Sequence, residues 1–219
     1  MPAFKSLTEA DARKAISALV SAYKNAHYYL NFDTDIDLLV AAIISAQTRD
    51  EVVNSVTPSL FKRYKTVKDY AGAKEEDIAE IIRKVSFAGN KSKNIVKACK
   101  KIEGDFGGSI PRTMEGLTSL PGVGRKTANT VLINAYGIVE GIPVDTWVIK
   151  LSKRIGLSSS DDPEEMESDL SKIVDRKYWK TFAYVLKNHG KAVCQSQVPI
   201  CSKCIIKEIC PKNGVSKHA

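Results

Sequence analysis

The sequence predicts an all-α protein, and three observations predict it. Apolar residues recur at the three- and four-residue spacing of a buried helix face. Capping side chains stand where one of these faces begins. No two alternating runs are joined by a tight hairpin turn. The first face is Ile36, Val40, Ile43 and Gln47, with Asp33, Thr34 and Asp35 before it as capping candidates. A second stripe is Ile95, Cys99, Ile102 and Phe106, with Lys93, Lys97, Lys100 and Lys101 on the opposite side. Trp179, Phe182, Ala183 and Leu186 form a third.

Breaks between helices are expected at Pro58, Gly104 to Pro111, Pro121 to Gly124, Gly137 to Pro143 and Ser158 to Pro163, because Gly and Pro are the strongest local punctuation. The Gly137–Pro143 stretch is the expected crossing between two helical lobes. No low-complexity linker or fixed-period repeat interrupts the pattern.

The content of apolar (43%) and charged (26%) residues is that of an ordinary globular chain. The charge balance is less ordinary. Lys and Arg total 33 against 25 Asp and Glu, a net charge of +8. Such an excess is the electrostatic footprint of a nucleic-acid binder, with an anionic membrane surface or plain solubility as the alternatives. Nothing reads as a signal peptide or a membrane span. Met1 to Ala10 carries Lys5 and Glu9, and the longest apolar run, Leu38 to Ala46, is too short and contains Ser45. A cytoplasmic, nucleoid-associated protein with no membrane partner is therefore expected. In a reducing compartment its five cysteines need an account other than disulfides.

Four of them supply one. Cys194, Cys201, Cys204 and Cys210 are spaced C-x6-C-x2-C-x5-C, a density that fits a single tetrahedral ligand set. Iron–sulfur clusters and structural zinc both accept four thiolates. Zinc sites more often pair two close knuckles, and here only one pair is close, which favours a [4Fe–4S] cluster with zinc as the alternative. Cys99, on the apolar stripe, reads as a small core residue.

The stretch Leu120–Pro121–Gly122–Val123–Gly124–Arg125–Lys126–Thr127 is the most informative. A short apolar helix from Met114 to Leu120 is expected to end at the Pro–Gly–Val–Gly turn, and a new one to run from near Gly124 to about Ala135. Glycines permit the turn and let backbone amides approach a partner closely. Amides at a helix N-terminus, with its positive dipole end, suit a phosphate oxygen, a contact that fixes position without reading sequence. A plain helix-turn-helix is the alternative. Lys126 lies at that dipole end beside Arg125, both of which disfavour its charged form, and a neutral amine is what a Schiff-base nucleophile requires. The alternative is a solvated lysine on a first helical turn. Asp145 precedes the helical run Trp147 to Ile155. It is expected to cap that helix and is also a candidate carboxylate for managing a proton on Lys126 or stabilising a developing cation.

With LPGVGRKTA, GIPVDT and the four cysteines in that order, the chain resembles the endonuclease III family, within the helix-hairpin-helix Gly/Pro–Asp superfamily of DNA glycosylases, from about Asp33 to Cys210. The resemblance implies a six-helix barrel lobe over residues 30–137 that carries the hairpin. It implies a cluster lobe from residues 1–29 and 138–219, with a DNA-binding cleft between the lobes. It implies a monomer acting on double-stranded DNA that contains a damaged base or an abasic site. The activity implied is removal of oxidised pyrimidines, with AP lyase strand cleavage by β-elimination through a lysine Schiff base. Lys126 matches the attacking lysine and Asp145 the essential carboxylate. Gly122, Gly124, Arg125 and Thr127 lie in the DNA-contacting hairpin. Gln47, in Ser45–Ala46–Gln47, matches a wedge side chain that fills the gap left by a flipped nucleotide. Phe87, in Ser86–Phe87–Ala88, matches the apolar wedge opposite, with a core phenylalanine as the alternative. Two departures stand out. Trp147 and Lys150 occupy positions where the family usually has histidine and arginine. The loop Gln195 to Ile200 has no Lys or Arg where the family's is basic, so Lys191, with Lys187 and Lys203, is expected to supply the phosphate contact.

Overall fold

The computed structural model describes residues 3–219. All regular structure among them is helical. The chain divides into two compact units, Tyr29–Glu140 and a second made of Met1–Tyr28 with Gly141–Ala219. The later of the two crossings therefore falls inside the Gly137–Pro143 stretch.

Helix α1 (Glu9–Ala22) begins the terminal unit. The central unit then holds α2 (Asp35–Ser45), α3 (Asp50–Arg63), α4 (Val67–Ala71), α5 (Glu75–Ile81), α6 (Ala88–Phe106), α7 (Met114–Thr118) and α8 (Arg125–Tyr136). The terminal unit resumes with α9 (Thr146–Ile155), α10 (Pro163–Ile173) and α11 (Trp179–Ala192).

The core of the central unit forms around α2, where Ile36 through Ile44 are all buried. A helix apolar on every side has no solvent face to keep. Its start is fixed by a reciprocal capping box: Thr34 accepts from the Asp37 amide while the Asp37 carboxylate accepts from the Thr34 amide. Helix α6 packs on α2, α4 and α5 and buries Ile95, Val96, Ala98, Cys99 and Ile102, leaving Lys93, Lys97 and Lys100 exposed. Cys99 is a core residue at 1% exposure, and burial pushes its thiol up to about 12. Tyr136, at the end of α8, donates to Asp35 at 2.9 Å and ties α8 to the start of α2.

Two sequence expectations are corrected here. Gln47 does not share the helical face of Ile36, Val40 and Ile43. Helix α2 stops at Ser45, and Gln47 turns away with left-handed backbone, φ 54°. Pro58 does not break the chain either; α3 runs through it. Proline removes one ladder donor and crowds the preceding turn, yet Val53, Val56, Thr57 and Leu60 on either side are buried, and that burial keeps the helix continuous.

In the terminal unit α11 packs against both α1 and α9, with Phe182 and Leu186 fully buried. Trp179 is half-buried, its indole N–H donating to the Val174 carbonyl at 2.9 Å.

Candidate active site and cysteine pocket

The hairpin in the central unit is built by its two glycines in different ways. Gly122 adopts φ +80°, and a β-carbon there would fall 2.9 Å from both Cβ and Nδ2 of Asn94 on α6. The turn needs glycine for backbone and for space. Gly124 is the N-cap of α8 with φ −90°, backbone open to any residue, and a β-carbon there would meet nothing within 4 Å. No intramolecular contact requires glycine at 124, and the cap offers no side chain to the first-turn amides of α8. Arg125 begins that turn and is exposed; Lys126 and Thr127 follow, half-buried. The Lys126 carbonyl accepts from the Thr130 hydroxyl at 2.9 Å.

Gln47 and Phe87 also belong to the central unit. Both are exposed, Phe87 to 63%, so Phe87 is not a core residue. Both have left-handed backbone, and Phe87 does so as the N-cap of α6.

Asp145 belongs to the terminal unit, where its Oδ1 accepts from the Trp147 and Val148 amides, each at 2.9 Å. It is thus the N-cap of α9, held by extended backbone. Trp147, half-exposed, lies flush on α11: a β-carbon on Gly190 would sit 2.3 Å from its Cε3. The Lys150 Nζ lies 5.8 Å from the Trp147 ring centroid.

At its far end α9 reaches the cysteines. Cys194, Cys201, Cys204 and Cys210 are free, half-buried thiols lining one pocket with Ile155, Val193, Pro199 and Ile206. Among the described residues no three His, Cys, Asp or Glu side chains are grouped as ligands of one metal ion. Burial pushes the Cys210 thiol up to about 11 and raises those of Cys194 and Cys204. The Arg154 guanidinium donates to the carbonyls of Cys194, Gln195 and Ser196 at 3.2, 2.7 and 2.7 Å and lies 3.6 Å from the Cys194 sulfur. Lys150 donates to the Ser196 hydroxyl at 2.8 Å. The loop that lacks its own Lys or Arg is therefore dressed with two cations from α9. Lys191, the residue expected to compensate, is exposed in the last turn of α11. Arg154 escapes sequence reasoning because its partners lie 40 to 42 residues away. So does His189, which is buried between Tyr23 Oη at 3.1 Å and Cys204 Sγ at 3.6 Å.

Residues 40–176 match the family described as HhH-GPD superfamily base excision DNA repair protein. The chain belongs to that superfamily. Within it, the chain is 44% identical over 205 residues to endonuclease III of Synechocystis sp., covering 94% of each chain. It is 40% identical over 175 residues to endonuclease III of Bacillus subtilis, covering 80% of each. The fold matches that of a trapped endonuclease III–DNA covalent intermediate with a TM-score of 0.90 and 35% identity, over 94% of this chain and 97% of the other. A thermostable thymine-DNA glycosylase shares the fold, with a TM-score of 0.82 at 20% identity over 93% and 97% of the two chains. The HhH-GPD hairpin and the cysteine pocket thus occur together in a chain of the endonuclease III group.

Proposed function

We propose that this chain removes oxidised pyrimidines from double-stranded DNA, with Lys126 as the nucleophile and Asp145 as the essential carboxylate. It is a base-excision-repair glycosylase and AP lyase of the endonuclease III group. The observation that carries the residue assignment is Lys126 in the first turn of α8, two residues after a glycine that the fold itself does not require.

The chemistry follows from residue types. A DNA phosphate rests against the amides that open α8, where Gly124 leaves room for its oxygens. The target nucleotide leaves the stack, and Gln47 and Phe87 fill its place. The neutral Lys126 amine attacks C1′ as the bond to the base breaks; the base leaves with the electron pair of that bond and takes a proton from water. The Asp145 carboxylate stabilises positive charge developing on the sugar and takes a proton from the amine. Ring opening gives a Schiff base between Nζ and C1′. Loss of a C2′ proton then expels the 3′ phosphate, and water releases Lys126.

Cys194, Cys201, Cys204 and Cys210 fit a [4Fe–4S] cluster. The four thiols line one pocket with an apolar wall, and only one pair of them is as closely spaced as a zinc knuckle, which favours the cluster over zinc. Bound there, such a group supplies a rigid anchor for the 194–210 segment. Purified protein is expected to be brown, with broad absorption near about 400 nm. Colourless protein with stoichiometric zinc would overturn this assignment.

A second substrate reading, thymine or uracil opposite guanine, is favoured only by Trp147, which stands where the family usually has histidine. Excision from duplexes carrying thymine glycol, or uracil opposite guanine, decides between them. Faster release of thymine glycol, with strand cleavage, is expected. Exclusive release of uracil, without cleavage, contradicts the proposal.

A further inference from the structure

Gln47 and Phe87 are the non-glycine residues with left-handed backbone among the described residues of the central unit, at φ 54° and 58°. That conformation crowds the β-carbon of any L residue and persists only where the surroundings over-determine it. Their own side chains are exposed, so side-chain packing does not hold them there. The Gln47 turn is held instead by one buried group, which stands in the first turn of α6, four residues after Phe87. Lys91 is 6% exposed. Its Nζ donates to the Ile44 carbonyl at 2.7 Å, to the Ala46 carbonyl, and to the Thr48 hydroxyl at 2.9 Å. These groups bracket Gln47. Its own amide donates to the Phe87 carbonyl at 3.0 Å.

An ammonium has three donors, and here each has an acceptor. Two acceptors lie at the C-terminal end of α2, where a cation also meets the negative end of the helix dipole. The charge is nevertheless in a poor place. Burial holds this amine at about 8, below the ordinary lysine range. A methionine would fill the slot on the apolar side of α6, one turn before Ile95, without that desolvation. The position therefore uses what only a buried cation offers, a three-point tie from the first turn of α6, which Phe87 caps, to the turn that holds Gln47.

We propose that Lys91 is a positioning residue for opening the duplex. It fixes the Gln47 and Phe87 turns at one spacing, so that both side chains enter DNA together and hold the gap left by an extruded nucleotide. The inference rests on the reading of Gln47 and Phe87 as wedge residues.

The test uses the full-length protein and a duplex with a tetrahydrofuran abasic analogue opposite 2-aminopurine, whose fluorescence rises on unstacking. Lys91→Met is expected to raise the duplex Kd about tenfold and to remove most of the fluorescence rise. Thr48→Val, which deletes one acceptor, is expected to do the same to a lesser degree. Both should trap with borohydride on single-stranded abasic DNA at the wild-type rate, because no stack is parted there. In a Gln47→Ala/Phe87→Ala background Lys91→Met should add little further loss. Wild-type Kd and fluorescence in Lys91→Met, alongside losses in Gln47→Ala and Phe87→Ala, would overturn the proposal. So would an equal loss on single-stranded and duplex DNA, which marks general damage to the fold. If Lys91→Met does not fold, unchanged Kd and fluorescence in Thr48→Val overturn it. If Gln47→Ala and Phe87→Ala themselves change nothing, the wedge reading fails and the proposal falls with it.

Discussion

Gly122 sits directly against Asn94, close enough that a β-carbon on the glycine would lie 2.9 Å from the asparagine's Cβ and Nδ2. The contact joins the hairpin to α6 and explains why the turn has no room for a side chain. Gly122→Ala adds a backbone conformation unfavourable for alanine, φ +80°, to that clash. It is expected to destabilise the central unit by about 2–4 kcal/mol, seen as a lowered denaturation midpoint. A midpoint equal to wild type would show that the turn adjusts freely.

Gly124 behaves in the opposite way. A β-carbon there meets nothing and the backbone is ordinary, so Gly124→Ala should leave the denaturation midpoint unchanged or slightly raised. Its effect belongs to DNA. Affinity for an abasic-analogue duplex should fall about tenfold or more, if a phosphate occupies the space the methyl takes. Unchanged affinity removes the hairpin from the DNA contact.

Trp147 and Gly190 set the packing of α9 on α11. Gly190→Ala places a methyl within the indole's volume and should cost about 1–3 kcal/mol, with a loss of excision because the displaced helix is the one Asp145 caps. Adding Trp147→His, which shrinks the ring, should return much of the stability. A double-mutant cycle in denaturant measures this, and strictly additive losses would deny the coupling.

Lys91 gives a pH signature. Its amine titrates near 8 in the folded chain against an ordinary value of 10.5, so between those values the unfolded chain binds more protons than the folded one. Stability should therefore rise with pH across that window through this group. The difference in unfolding free energy between wild type and Lys91→Met should shift in favour of wild type from pH 8 to 10.5. A pH-independent difference would place the amine's titration outside this range.

Much of this was legible in the sequence because it is local. Thr34, the N-cap of α2, stands among the three capping candidates just before Ile36, although its partner in the box, Asp37, does not. The hairpin is written in eight consecutive residues, and the cysteine spacing falls within 17 positions. What escaped was set by distant partners. The turn at Gln47 looked helical because Ile36, Val40 and Ile43 carry the period onto it, and the tie that bends it comes from Lys91, 45 residues from Ala46. One local signal existed: Lys91 falls on the apolar side of α6, four residues before Ile95, where an unpartnered lysine is out of place. Pro58 misled because breaking is proline's usual effect, and burial on both sides of α3 outweighed it.

Incubation with duplex DNA containing an abasic site, in the presence of borohydride, tests the central assignment most directly. Wild-type protein is expected to form a covalent adduct, Asp145→Asn to form it more slowly, and Lys126→Gln to form none. An adduct of undiminished yield from Lys126→Gln would contradict the account and move the nucleophile to another amine.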